Sequence, residues 1–274
     1  MRTMDEFKKA GIKIYQKLQL SSFPLAVTYI KDESEIPEGI YRPSKAHKKL
    51  SLCQAFTMSR RWGMPVGMTS DDNFCTPATA FHGWSDISKE DLIESQVRQG
   101  WHMDMAAETR RVEGAWALLR SKGKNRLKDY CGFVVSPLKD AQLLPHSILI
   151  YGDGVQVMHM IHGICYEYKQ IVHSFFEGFG ESCVKGALLP FLLNSPQVVV
   201  PGMGDRSFAG IGENELAVGM PADTIFTILE NLFKTGGIMN VGYPAKTMLP
   251  MDITEHITPG FQFLREKMSE KKQP

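Results

Sequence analysis

Glu181-Ser-Cys-Val-Lys-Gly-Ala-Leu-Leu-Pro-Phe191, followed by Gln197-Val-Val-Val-Pro-Gly-Met-Gly-Asp-Arg206, is the stretch around which the chain is organised. The first segment predicts a helix that carries Cys183 in its first turn, where unpaired backbone N–H groups favour a thiolate over a thiol. The second predicts a buried strand and then a glycine-rich turn that presents Asp205 and Arg206. A thiolate is the form in which cysteine binds a metal or attacks a substrate. The stretch therefore predicts a functional site.

The rest of the composition is that of an ordinary globular protein. The chain has 274 residues, of which 43% are hydrophobic and 22% charged, with a net charge of +1. This charge gives no broad field that would attract nucleic acid or an anionic membrane. No apolar run approaches the roughly 20 residues of a membrane span, and the N-terminus lacks a signal-peptide pattern. We therefore expect a cytoplasmic protein that binds neither nucleic acid nor membrane.

The order of helix and strand signals predicts an α+β fold, or an α/β fold with a mixed sheet. We expect one compact domain over residues 1–257, with helices packed on a mixed β-sheet, and an exposed helical tail over residues 258–274. The predicted helices are 3–20, 50–62, one starting at 76–77, 88–99, 104–120, 154–164, 181–193 and 221–234. The predicted strands are 24–30, 65–69, 131–136, 147–151, 197–200 and 215–220.

Five cysteines are distributed along the chain without the close spacing of a zinc or ferredoxin motif. An odd number of separated cysteines predicts reduced thiols rather than a disulfide framework. Cys53, Cys75 and Cys183 each fall near the start of a predicted helix, whereas Cys131 and Cys165 fall in apolar segments typical of a core. Three separated thiolates that converge would hold a metal or cluster and leave one position open. The alternative is that they are small buried hydrophobic residues.

Other candidate residues are less specific. Arg206 is a good anion donor because its guanidinium pairs with carboxylate or phosphate in two hydrogen bonds, although an internal salt bridge is an equal alternative. Gly202-x-Gly204 lacks the third glycine of a dinucleotide fingerprint, and the residues after it predict a turn and a strand. His159 and His162 share a predicted helix face, with buried structural histidines as the alternative.

The chain resembles the family known as domain of unknown function 169. The similarity covers most of residues 15–235. It rests on Phe23-Pro-Leu-Ala-Val27, Leu52-Cys-Gln-Ala-Phe56, Asp72-Asn-Phe-Cys-Thr-Pro77, Ser182-Cys-Val-Lys-Gly-Ala187, Pro201-Gly-Met-Gly-Asp-Arg206 and Asn214-Glu-Leu-Ala-Val-Gly-Met-Pro221.

The resemblance implies a metal or cluster site with three thiolates, since the positions of Cys53, Cys75 and Cys183 are typically cysteine in that family. A further family cysteine falls where this chain has Gly202, so a fourth ligand at that position is absent here. The family lysine after the first strand is Thr28 in this chain, and no role for it carries over.

These observations support three hypotheses of function. The first is a protein of anaerobic metabolism that holds an iron–sulfur cluster, 4Fe–4S in type, or a metal through Cys53, Cys75 and Cys183. It would act as a lyase or dehydratase on a small anionic substrate, or as an oxidoreductase, with Asp205 and Arg206 as candidate catalytic residues and Arg206 holding the anionic end. The second is a non-catalytic module that binds a small anion. The third is an enzyme with Cys183 as nucleophile and a nearby histidine. Homo-oligomerisation stays open.

Overall fold

The computed structural model describes residues 2–100, 104–107, 109–113, 127, 129–166, 171–176, 180–237, 240–245 and 259–270. Within these ranges one six-stranded sheet has the order β2-β3-β1-β4-β6-β5. Its strands are β1 (Leu25–Ile30), β2 (Val66–Thr69), β3 (Gly132–Pro137), β4 (Ser147–Gly152), β5 (Gln197–Val199) and β6 (Leu216–Pro221). All five neighbouring pairs of these strands are antiparallel.

The helices begin and end largely where the sequence signals predict. Thr3 and Glu6 form a capping box at the start of the first helix, and Gly63 ends the second helix in a left-handed conformation with φ of 72°. The helices are α1 (Met4–Lys17), α2 (Leu52–Trp62), α3 (Thr76–Phe81), α4 (Lys89–Arg98), α5 (Gly154–Cys165), a π-helix (Glu181–Leu188), α6 (Leu189–Leu193), α7 (Met203–Ala209), α8 (Thr224–Asn231) and α9 (Pro259–Glu270). None of the helices in the described ranges is long and apolar enough to cross a bilayer.

Two helix predictions extend into residues outside the described ranges. Residues 105–107 and 109–113 are helical, which agrees with the first part of the predicted helix 104–120, and the rest of that helix lies outside them. The predicted C-terminal helix is present as α9, which has no buried residue. The boundary between residues 257 and 258 also lies outside the described ranges and stays a prediction.

The α+β class is confirmed, whereas the mixed sheet is wrong because the sheet is antiparallel throughout its named strands. The physical reason lies in burial. Every residue of β3 and of β4 is buried, so these strands lack the alternation of apolar and polar residues that identifies an antiparallel sheet with one wet face. Continuous apolar runs are typical of parallel strands, and they mislead here because helices cover both faces of the sheet.

The sheet separates two hydrophobic cores. On one face Val27 and Tyr29 of β1 pack with residues of α2, α3 and the π-helix. On the other face Ala26 of β1 and Ile148 of β4 pack with residues of α1, α5 and α8. Alternate residues of one strand therefore reach different cores, as the strand pleat requires. The candidate site residues lie on the first of these faces.

The segment after β5 differs from the prediction, because a helix follows where a turn and a strand were expected. Gly202 is the N-cap of α7 and Gly210 ends it with φ of 61°. Asp205 closes the first turn, since its carboxylate accepts a hydrogen bond from the Gly202 N–H at 3.0 Å. A helix of only two turns shows too few repeats of the hydrophobic pattern for the sequence to distinguish it from a turn.

Candidate functional site

A cavity of about 290 Å³ lies where the first turns of α2, α3, the π-helix and α7 approach one another. Cys53, Cys75, Cys183 and Asp205 all line this cavity, and the C-terminal end of α4 closes one side of it. The structure therefore brings together the three predicted cysteines. It also places both Cys131 and Cys165 outside the residues that line the cavity.

Cys53 is held at the second residue of α2 by the cap that begins this helix. Ser51 is the N-cap, and it forms a capping box with Gln54. The Cys53 sulfur lies 3.0 Å from Ser51 Oγ and 3.8 Å from the carbonyl oxygen of Gly204. Because Gly204 belongs to α7, the sulfur stands at the contact between two of the helices that form the cavity.

Cys75 is the N-cap of α3, and the side chain of Asn73 fixes its backbone. Asn73 Oδ1 accepts a hydrogen bond from Cys75 N–H at 3.1 Å, while Asn73 Nδ2 donates to the Cys75 carbonyl at 2.9 Å. The Phe74 N–H donates to the Leu50 carbonyl at 3.0 Å. The strand-like segments before Cys53 and Cys75 are therefore joined directly, which holds the two thiols at one end of the cavity.

A buried ion pair supports the loop that precedes Cys75. Asp72 has no exposed surface, and its Oδ2 lies 2.7 Å from Arg42 Nη2 and 2.8 Å from Arg42 Nε. The same oxygen accepts the Thr69 N–H at 3.0 Å, and Oδ1 accepts the Ser44 N–H at 2.8 Å. The guanidinium and these donors hold the pKa of Asp72 below its usual value despite burial.

Cys183 is the third residue of the π-helix, which lies unusually close to the sheet. Gly180 precedes the π-helix in a left-handed conformation with φ of 63°. Gly186 then passes over Gly219 of β6, where an added Cβ would lie 1.9 Å from the Gly186 carbonyl oxygen. The absence of a side chain at residue 219 therefore permits this approach. Wide turns of the π type are frequent at functional sites.

Asp205 is the third residue of α7, and its carboxylate links this helix to the π-helix. Oδ2 accepts hydrogen bonds from the N–H groups of Gly202 at 3.0 Å and Ser182 at 3.3 Å. Ser182 directly precedes Cys183, so the carboxylate is tied beside that thiol. Asp205 is 6% exposed, and burial raises the pKa of its carboxyl even though these donors act in the opposite direction.

Arg206 points away from this group of side chains. Its Nε donates to the Pro201 carbonyl at 3.2 Å, and Nη1 donates to the Gly212 carbonyl. Arg206 is not among the residues that line the cavity. Glu215, which with Asp205 was a candidate for an internal salt bridge to Arg206, pairs instead with Arg60 and Arg61. The role of Arg206 as a substrate anchor stays a prediction, and its contacts in the structure tie α7 to the segments before and after it.

Burial reverses the expected ionisation of the three thiols. It raises the pKa of Cys53 to about 12, with the negative charge of Asp205 adding to the effect. Burial first, and Asp205 next, also raises the pKa of Cys183 well above its usual value, while the pKa of Cys75 is raised by burial and by Asp205. The expectation that helix N-termini favour thiolates is therefore wrong for the protein without a bound cation. The carboxylate of Asp205 contributes to the raised pKa of all three thiols, and the four groups line the same cavity.

The charges that line the cavity have one sign. Its described lining contains two carboxylates, Glu181 and Asp205, together with the three cysteines, and includes no lysine, arginine or histidine. Glu181 was not singled out by the sequence, where it appears only as the first residue of a helix. It is 4% exposed, and its Oε1 lies 3.2 Å from Lys185 Nζ within the π-helix. A space with these walls attracts a cation and repels a free anion.

His82 and His159 occupy structural positions. His82 follows α3 with its ring buried, its Nδ1 is 2.8 Å from the Ala78 carbonyl oxygen, and burial lowers its pKa to about 4. His159 Nε2 is 2.9 Å from the Gly242 carbonyl oxygen, and its ring packs against Phe233 in the core on the opposite face of the sheet. The described residues include no group of three or more His, Cys, Asp or Glu side chains arranged to hold a single metal ion.

The fold and the cavity define a class of protein: an α+β domain with one antiparallel sheet and a buried pocket lined by three cysteines from separate helices. The chain belongs to the family described as domain of unknown function 169, uncharacterised ArCR, whose profile matches residues 13–231. The resemblance noted in the sequence is therefore confirmed, and the matched region contains every residue named above as part of the cavity.

One curated relative is an uncharacterized protein, MJ0308, from Methanocaldococcus jannaschii. It is 22% identical over 229 residues, which covers 83% of this chain and 94% of the relative. No solved structure matches the chain.

Proposed function

We propose that the protein binds an iron–sulfur cluster of the 4Fe–4S type through Cys53, Cys75 and Cys183. The observation that carries this proposal is the composition of the cavity walls. Three thiols and two carboxylates, brought from four separate helices, line one space that has no basic side chain among its described residues. Cysteine thiolates are the usual ligands of such clusters. Burial alone disfavours the negative charge of the three thiolates, and the positive charge of the iron would offset it.

A cluster fits this arrangement better than a single ion does. The ligands of one ion must meet at one point with bonds of about 2.3 Å to sulfur, and the described residues contain no group placed in that way. In a cluster each cysteine binds a different iron, so the sulfurs stand farther apart around a larger volume. A cavity of about 290 Å³ has room for such a group.

The anion-binding alternative has less support. Such a module needs a cation or several N–H donors directed at the ligand. Lys185 is within 3.2 Å of Glu181, and Arg206 donates to backbone carbonyls. The cysteine-nucleophile hypothesis is also weakened, because the described cavity walls contain no histidine to act as base and the thiol pKa values are raised rather than lowered.

Three cysteines leave one iron of a cluster without a thiolate, and that iron supplies Lewis acidity when the cluster is bound. The rings of Phe74 and Phe208, which line the cavity, lie 5.6 Å apart and are about half exposed. These rings favour a small ligand with an apolar part. From the iron without a thiolate we propose a lyase or dehydratase of anaerobic cells, whose small anionic substrate would bind that iron rather than a basic side chain, and Asp205 is the candidate catalytic residue that lines the cavity.

The five cysteines are all free of disulfide bonds. Reduced cysteines are typical of the cytoplasm, and a labile cluster also needs a reducing compartment. We therefore propose a cytoplasmic location. Separating the membrane from the soluble fraction of anaerobic cells and probing each with an antibody would test it, and recovery in the periplasmic or membrane fraction would contradict it.

The test of the proposed function is the metal content of protein purified without oxygen and reconstituted with iron and sulfide. The expected product is brown and contains iron and acid-labile sulfide. Cys53→Ser, Cys75→Ser and Cys183→Ser should each lose most of both, because the hydroxyl is a hard ligand and a poor substitute for thiolate. Cys131→Ser and Cys165→Ser are the matched controls, and they should retain both.

Two outcomes would overturn the proposal. One is a colourless preparation, free of iron after reconstitution, that binds inorganic phosphate in a calorimetric titration; this result would establish the anion-binding module. The other is equal iron loss from all five serine variants, which would show iron that is adsorbed without a specific site.

A further inference from the structure

Asp205 has features that a helix cap does not require. A capping side chain at the third position of a helix is normally at the surface, yet Asp205 is 6% exposed and lines the cavity. Both of its hydrogen bonds in the described structure are accepted by Oδ2. A buried carboxylate without a cation partner destabilises the fold by its desolvation, and no ion pair to Asp205 occurs among the described residues. The carboxylate is therefore buried with backbone donors and the charge of the neighbouring Arg206 but without an ion pair in the described structure.

The position of the carboxylate relative to the three cysteines offers an explanation for its burial. Asp205 Oδ2 accepts a hydrogen bond from Ser182 N–H, one residue before Cys183. The carbonyl oxygen of Gly204, which directly precedes Asp205, is 3.8 Å from the Cys53 sulfur. Asp205, Cys53, Cys75 and Cys183 all line the same cavity. The two N–H donors hold Oδ2 in place, which leaves Oδ1 as the oxygen without a hydrogen bond in the described structure.

We propose that the Asp205 carboxylate is the fourth ligand of the cluster and binds the iron that the three cysteines leave without a thiolate. This inference rests on the proposed function. It assigns to the site a ligand set of three thiolates and one carboxylate. Carboxylate is a harder ligand than thiolate and holds iron less tightly, so this iron is the one that exchanges most readily and the one that a substrate oxygen can reach.

Two variants separate this role from that of a helix cap. Asp205→Asn keeps an amide oxygen that can accept both N–H hydrogen bonds, but it removes the anionic ligand. Asp205→Cys removes the cap, because sulfur is a weak acceptor, but it supplies a thiolate ligand. The two roles therefore predict opposite orders. If Asp205 is a ligand, cluster retention should be highest in Asp205→Cys, intermediate in the unaltered protein and lowest in Asp205→Asn. If Asp205 is only a helix cap, the unaltered protein and Asp205→Asn should retain the cluster equally and Asp205→Cys should retain it least.

The experiment measures iron per chain and the electron paramagnetic resonance spectrum of the reconstituted protein and both variants, before and after mild oxidation with ferricyanide. We expect Asp205→Asn to lose one iron of the cluster and give the signal of an oxidised 3Fe–4S centre. Its rate of iron loss should exceed that of the unaltered protein by about 10-fold or more, the usual effect of a lost ligand-sphere group. Asp205→Cys should lose iron more slowly than the unaltered protein does.

Equal iron content, spectra and rates in the unaltered protein and Asp205→Asn would overturn the ligand assignment and leave the proposed function standing. An iron-free unaltered protein would overturn the proposed function as well. Thermal unfolding of the three iron-free proteins serves as the folding control. If Asp205→Cys retains less iron than Asp205→Asn although both iron-free proteins melt cooperatively, the helix-cap role is the correct one.

Discussion

Glu215 and Arg60 form an ion pair that holds the helix carrying Cys53 against the sheet. Arg60 Nη1 lies 2.6 Å from Glu215 Oε1, and Nη2 lies 3.0 Å from Oε2. The Arg60 side chain is fully buried over the ring of Tyr151, with 4.2 Å between the guanidinium carbon and the ring centroid, whereas Glu215 is 16% exposed. Replacing Glu215 by glutamine would leave a buried guanidinium without its anion.

The size of the effect follows from the ionisation of Glu215. Arg60, together with the Gly212 N–H and Arg61, lowers the pKa of Glu215 from 4.5 to about 2 despite its partial burial. A difference of about 2.5 units corresponds to roughly 3 kcal/mol, and solvent screening of the partly exposed carboxylate reduces this to about 2 kcal/mol. Because the folded-state pKa is the lower one, this stabilisation is fully present above about pH 4.5 and is lost as the pH falls toward about 2.

Urea denaturation of the Glu215→Gln protein tests this reasoning. We expect its free energy of unfolding at pH 7 to be about 2 kcal/mol lower than that of the unaltered protein, and the difference should shrink as the pH falls from about 4.5 to about 2. Glu213→Gln is the matched control, since Glu213 is exposed and no ion pair to it occurs in the described structure. Equal stability of the two variants at pH 7, or a difference that persists at low pH, would refute the argument.

Three further predictions concern the cavity and the segments that support it. Gly219→Ala should destabilise the fold by about 1–3 kcal/mol or more, the usual cost of overpacking, because the added Cβ would meet the Gly186 carbonyl oxygen. An unchanged melting temperature would contradict the close contact. Gly202→Cys should slow oxidative iron loss, because residue 202 lines the cavity and its φ of −82° suits a side chain; unchanged kinetics would show that its side chain does not reach the cluster. Arg206→Ala should lower stability by about 1–3 kcal/mol through two lost hydrogen bonds to carbonyls while iron content stays constant, and loss of iron would assign Arg206 to the site.

The sequence predicts most of the secondary structure because local signals and tertiary packing agree. The capping box at Thr3 and the left-handed Gly63 lie where the residue types indicate. The relative direction of the strands could not be predicted in the same way, since it depends on which strands become neighbours in the sheet. β1 lies between β3 and β4, which both follow it in the chain, and no local pattern in Leu25–Ile30 specifies that arrangement.

The π-helix was beyond sequence reasoning for a similar reason. Helical spacing predicts residues 181–193 as one helix, and the chain does form helical turns there. The wider turns occur where Gly186 passes over Gly219, a contact between residues far apart in sequence. The two glycines are visible in the sequence, but their proximity is a property of the folded chain.

The ionisation of the thiols shows why the position of a cysteine on a helix does not by itself predict a thiolate. A helix N-terminus stabilises a nearby anion by about 0.3–1 kcal/mol. Burial, with Asp205 beside it, raises the pKa of Cys53 from 9.0 to about 12, and a rise of about 3 units corresponds to roughly 4 kcal/mol in the opposite direction. Desolvation therefore outweighs the helix, and helix position alone cannot produce thiolates in this cavity. A bound cation can, because it supplies the opposite charge that Cys53, Cys75 and Cys183 lack among the described side chains lining the space.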